Sequence, residues 1–215
     1  MYMQYVMYEN ELEIIEKINQ LENMVKDELK RDFDLFMEDL YILSAVDKSL
    51  KLIDSFLFAM EQRNITVLAA LTRMQMDCVL RTYASTLVKD SGDFCKRVLC
   101  DNIRIDKEKS VSGINLSDKN LCLELEKVLK LQIYDLYQKV CGYVHFSSSS
   151  FHNSVKLSGN SGFIMKIGKN NIERDADTYK RLSIELANHF YYFGRVLIKY
   201  ILHSWLKQKE QESGE

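Results

Sequence analysis

Apolar residues recur along this chain at helical intervals for most of its length. Between Glu9 and Lys30, Leu12, Ile15, Ile18, Leu21, Met24, Val25 and Leu29 are spaced by three and four with Glu and Lys between them, which predicts an amphipathic helix. A second periodic run from Asp34 to Glu61 carries Phe36, Leu40, Leu43, Val46, Leu50, Ile53, Phe56, Leu57 and Met60, and the short polar residues from Ser44 to Asp47 are expected to bend or restart it. Asn64 then caps a third helix, Ile65 to Lys89, that is apolar on nearly every side. Such a helix belongs in the middle of a bundle.

The pattern beyond it is shorter and more broken. Ser91-Gly92 reads as a turn, Asp93 to Cys100 as a short helix, and the polar stretch from Asp101 to Asn120 as a loop with one helical turn inside it. Ser117 is placed to cap Asp118 to Leu131, and Gln132 to His145 continues as helix, directly or after a small break. Residues 154–167 alternate around Gly-Asn-Ser-Gly and predict a short β-hairpin that must lean on the bundle. The last helix is expected from Asp175 or Asp177 to about Lys209, with Leu182, Leu186, Phe190, Phe193, Leu197, Tyr200, Ile201 and Trp205 as its buried stripe and a frayed tail over 208–215. The fold class is therefore all-α: one domain over 1–215, a bundle of five to seven helices with a hairpin inserted before the C-terminal helix.

Composition narrows the function classes. The chain has no proline, so no helix is stopped by one, and long helices joined by polar turns are favoured. A net charge of −2 provides no overall field to attract nucleic acid or an anionic membrane. Five cysteines without a C-x-x-C pair read as reduced, mostly buried thiols in the cytoplasm, and ligand spacing for a metal is missing. The amino terminus has no basic, then apolar, signal-peptide pattern. The most apolar long stretch, Ile184 to His203, carries Glu185, His189, Arg195 and Lys199, which suits a core helix rather than a membrane span. No dinucleotide or phosphate-loop glycine motif and no groove-reading element is present, so no cofactor is expected.

Two polar groupings carry candidate chemistry. Arg73, Asp77 and Arg81 follow each other at i, i+4 and form one stripe on the otherwise apolar third helix. An acid between two guanidinium groups stays ionised, and a second carboxylate from a neighbouring helix would complete the pairing. Such a stripe is either a buried network that sets helix register or, if it faces a cleft, a phosphate site. The second grouping is Tyr134, Tyr137, Lys139, Tyr143 and His145. A histidine at a helix C-terminus tends to keep its proton, which suits a general acid or a phosphate contact, or equally a bond to a backbone carbonyl that orders the serine-rich turn. His152 is a weaker partner in the following loop, His189 is a candidate for the core, and His203 is expected in solvent.

The segment from Tyr137 to Ser147, reading YQKVCGYVHFS after an L-x-R-x-x-x-D-x-x-L-R helix, resembles a group of bacterial all-helical proteins with the pattern Y-x-x-x-S/C-x-x-V-H-x-S. More distantly, residues 60–155 resemble the HEPN superfamily of toxin, antitoxin and phage-defence bundles, many of which are dimeric metal-independent ribonucleases with an Arg, a following polar residue and a His. The resemblance implies His145 as general acid or base, Arg73, Arg81 or Lys139 against the developing phosphorane charge, and Tyr137 as a positioning group. It further implies Asp77, Tyr143, Ser147 and His152 in binding, a homodimer, RNA or a partner protein as the binding partner, and no metal. The chain departs from that pattern, with Lys139 where the arginine belongs and Val140 where the polar residue belongs. Lysine lacks the bidentate fork, so Arg73 or Arg81 would have to supply it. The alternative implied by these departures is a non-catalytic binding or oligomerisation module whose polar seam is structural.

Overall fold

In a computed structural model of the chain, the described residues are 6–29, 35–145, 155–158, 162–165 and 176–213. They form a helical bundle: α1 Glu11–Glu28, α2 Met37–Glu61, α3 Ile65–Ser85, α4 Ser91–Cys100, α5 Asp118–Leu129, α6 Ile133–Val144 and a long last helix, α7. That last helix is α-helical over Ala176–Arg195, widens to a π-helix over Val196–Leu202 and returns to α over His203–Ser213. Among the described residues no helix is long and apolar enough to cross a membrane.

The apolar third helix of the sequence is the axis of the bundle. α3 packs against α2, α4, α5, α6 and α7, and its residues Leu68, Ala69, Met76, Val79, Leu80 and Ala84 are sealed from solvent. Around it the buried stripes of α1 (Ile14, Ile18, Leu21), α2 (Phe56), α5 (Leu121, Leu125) and α7 (Phe190, Phe193, Leu197) close one continuous core, with Phe56 stacked on Phe190 at 4.2 Å between ring centroids.

Helix boundaries follow local chemistry that periodicity alone does not show. α2 runs unbroken through Ser44 to Asp47, because Asp47 pairs with Lys51 one turn on at 2.6 Å and Val46 is held in the core. α3 ends at Ser85 rather than Lys89, where the hydroxyls of Ser85 and Thr86 donate to the carbonyls of Thr82 and Tyr83 and so satisfy the last turn. Asp90 caps α4 by accepting from the Asp93 N–H at 2.8 Å, which draws Ser91 and Gly92 into the helix. α5 and α6 are separate because Lys130 takes the left-handed conformation at φ 56°.

The carboxy-terminal region is docked where fraying was expected. Lys209 of α7 pairs with Asp39 of α2, and its ammonium lies over the Phe36 and Trp205 rings at 4.8 and 5.0 Å. His203, expected in solvent, instead sets its Nδ1 2.8 Å from Glu28 Oε2, beside Lys199 at 2.5 Å from the other oxygen. Burial works against ionisation of Glu28, but Lys199 and His203 outweigh it and hold its pKa below the usual carboxylate range. Segments Val155–Ser158 and Gly162–Met165 face each other in antiparallel register, Val155 opposite Met165. The rest of 154–167 lies outside the described residues.

Candidate functional site

Three elements converge on the outer face of α3. The helix presents Arg73, Asp77 and Arg81 on one stripe. α5 brings Asp118 in its first turn, capped by Ser117, and α6 brings Tyr137 and Cys141. An acid at the first turn of a helix is favoured by the helix dipole, so Asp118 is stable there even before it meets a cation.

The side chains form a closed knot. Asp77 Oδ1 lies 3.4 Å from Arg73 Nη1 and 3.2 Å from Arg81 Nε. Asp118 spans the same two cations, Oδ2 at 3.1 Å from Arg73 Nη2 and Oδ1 at 2.5 Å from Arg81 Nη2. The Tyr137 hydroxyl accepts from Arg73 Nη2 and donates to Asp118 Oδ2. Arg73 also covers the Tyr137 ring at 4.0 Å and donates from Nε to Cys141 Sγ at 3.3 Å. Two guanidinium groups meet two carboxylates, so the knot is neutral and needs no outside anion. Tyr41 of α2 ties its hydroxyl to the Arg81 carbonyl at 2.9 Å and fixes the helix beneath.

Electrostatics follow from this packing. Burial, and then donation to Asp118, push the Tyr137 hydroxyl well above the usual phenol range. Burial opposes the charge on Arg73, but contact with Cys141, Tyr137 and Asp77 raises its pKa and keeps it cationic. Burial lifts the neighbouring Cys122 thiol to about 12, so it stays protonated.

One side of the knot opens on a cleft of about 720 Å³, lined by Arg81, Arg104, Asp106, Ser117, Asp118, Lys119, Tyr134, Tyr137, Gln138 and Cys141. The structure thus brings together four of the sequence-derived site residues: Arg73, Asp77, Arg81 and Tyr137. Lys139 points elsewhere and pairs with Glu185 of α7, which also has His189 Nε2 at 3.8 Å. His189, and then Lys139, hold Glu185 at about 2 against its burial. His145 is exposed and forms the C-cap of α6, its N–H donating to the Cys141 carbonyl at 3.0 Å; neither it nor Lys139 lines the cleft. Tyr143 packs partly against the core, and Ser147 and His152 lie outside the described residues.

Asp118 and Glu185 were not singled out from the sequence as site residues, and Cys141 stood out only as the S/C position of the Y-x-x-x-S/C-x-x-V-H-x-S pattern. A second carboxylate was expected, and the one signal that points to Asp118 is its position directly after the Ser117 cap. Glu185 carries no such signal. Among the described residues no group of three His, Cys, Asp or Glu side chains is placed to hold a metal ion. No protein-family model, curated protein or solved structure matches this chain.

Proposed function

We propose that this chain is a HEPN-like bundle of the bacterial defence or toxin type that acts in the cytoplasm by association, with a second copy or with a partner protein, and that its arginine knot is structural. The observation behind this reading is the neutrality of the knot: both guanidinium groups are engaged by Asp77 and Asp118. Lys139 is likewise engaged, by Glu185. A ribonuclease would need these cations aimed at a scissile phosphate.

A second reading, a metal-independent endoribonuclease, is favoured by the exposure of Arg81 and Tyr137 to an open cleft. In that reading His145 is the general acid or base, Arg73, Arg81 or Lys139 stabilise the phosphorane, and Tyr143, Ser147 and His152 hold the RNA. In both readings a hairpin insertion over 154–167 is an appendage between α6 and α7.

RNA cleavage in chelator by the wild type and by His145→Ala, with light scattering on both, separates the two readings. Association predicts no cleavage by either protein and a stable dimer or partner complex. Cleavage that disappears in His145→Ala with folding intact overturns it.

A further inference from the structure

We propose that the cleft beside the knot binds a nucleoside monophosphate, stacking the base on α6 and holding the phosphate on Arg104. Tyr134 and Tyr137 are three residues apart on α6 and both line the cleft. Each ring has a cation over it, Lys119 Nζ at 5.7 Å from the Tyr134 centroid and Arg73 at 4.0 Å from that of Tyr137. Aromatic rings one helical turn apart are platforms on which a planar heteroaromatic group stacks. Gln138 lies on the same wall and donates to the Tyr134 hydroxyl at 3.1 Å, leaving an amide oxygen to accept from a base edge.

The anion site is the guanidinium fork of Arg104, which leads into the helical turn Ile105–Lys107. Arg104 Nε and Nη2 hold the two oxygens of Asp106 at 3.0 and 2.7 Å. This planar two-point grip is the geometry in which arginine takes a phosphate. The Arg104 side chain is 73% exposed, and an exposed local pair of this kind is worth little. A phosphate, with more charge and more acceptor oxygens, displaces the carboxylate at small cost.

Charge and size select a small ligand over a strand. Arg81, Arg104 and Lys119 against Asp106 and Asp118 leave the lining at a net +1. The cleft is shallow and open to solvent, so it takes a small ligand on one face. A second depression on α5 carries Glu124 and Glu126 beside Lys127, a net negative lining that disfavours further phosphates there.

The test is calorimetric titration of the full chain at low salt with AMP, UMP, adenosine and inorganic phosphate, using wild type, Arg104→Ala, Asp106→Asn and Tyr134→Ala. These substitutions remove no side chain of the arginine knot, so a change in binding among them does not come from breaking the knot; thermal melts verify that each variant folds. We expect AMP or UMP to bind about tenfold more tightly than adenosine or phosphate, losses of about tenfold in Arg104→Ala and Tyr134→Ala, and a gain of a few fold in Asp106→Asn, where the competing carboxylate is gone. Three results each overturn the proposal: no heat with either monophosphate at millimolar concentration, phosphate alone binding as tightly as AMP, or weaker binding in Asp106→Asn. A short oligoribonucleotide binding about a hundredfold more tightly than AMP also overturns it, in favour of a strand site.

Discussion

The Tyr137 hydroxyl donates to Asp118 across the junction of α5 and α6, and through that carboxylate the two helices are joined to both arginines of α3. Asp118→Ala leaves two guanidinium groups with one carboxylate. The side chain is 29% exposed, so the loss is smaller than for a sealed pair, about 2–3 kcal/mol. Tyr137→Phe removes two charge-assisted bonds, one accepted from Arg73 and one donated to Asp118, and costs about 2–3 kcal/mol. Because the two groups touch, denaturant melts of both variants and the double variant should give a coupling of at least about 0.5 kcal/mol. Additive losses would show that the contact carries no energy of its own.

The pairing of Lys209 with Asp39 ties the last turns of α7 to the start of α2. Asp39 is fully buried, and its second oxygen has no hydrogen-bond partner among the described residues. Removal of its cation is therefore severe: Lys209→Met should cost about 3 kcal/mol. Asp39→Asn in the same chain should restore most of that loss, since the uncompensated charge is then absent. A chain ending at Gln208 that is as stable as the full chain would rule the anchor out.

Glu185 gives the stability curve an acid limb. Its pKa is held at about 2, below its ordinary 4.5, by His189 and then Lys139. A carboxylate depressed on folding contributes fully above its unfolded value and loses that contribution as pH falls through the folded one. The loss should therefore develop between pH 4.5 and about 2. Glu185→Gln should be less stable than wild type at pH 7 and should show a flatter decline over that window, measured by urea melts at stepped pH.

Gly194 sits where α7 crosses α1 and α3. A Cβ there would stand 2.7 Å from Leu21 Cδ1 and 3.0 Å from Gln75 Nε2, and the Gln75 amide is tied to the Ser49 hydroxyl at 2.6 Å. Alanine gains about 1 kcal/mol of helix propensity at an open position. Overpacking a core costs about 1–3 kcal/mol, so the clash should win and Gly194→Ala should lower the melting temperature. An increase would mean that Leu21 moves aside freely.

Much of this architecture is legible along the chain. The recurrence of Ile18, Leu21 and Val25, the all-round apolar character of α3, and the caps Asn64 and Ser117 place the helices and make α3 central, while the face of α1 turns Ile14 inward and leaves Leu12 exposed. These signals act over three or four residues, the range over which helix geometry and capping operate. The unusual stripe of Arg73, Asp77 and Arg81 is legible for the same reason: one helix turn separates its members.

Local patterning alone therefore specifies an all-α bundle around an apolar helix read from Ile65 to Lys89, with a charged stripe in need of a second acid. Packing then selects Asp118 as that acid, assigns Lys139 to Glu185 rather than to the knot, and sets Glu28 and Asp39 to hold the last helix through His203, Lys199 and Lys209. The physical reason is range. Separations of 37, 46 and 170 residues between Arg81 and Asp118, Lys139 and Glu185, and Asp39 and Lys209 leave no periodicity to read, and a charge pair is selected by which surfaces the packed core brings within a few ångströms.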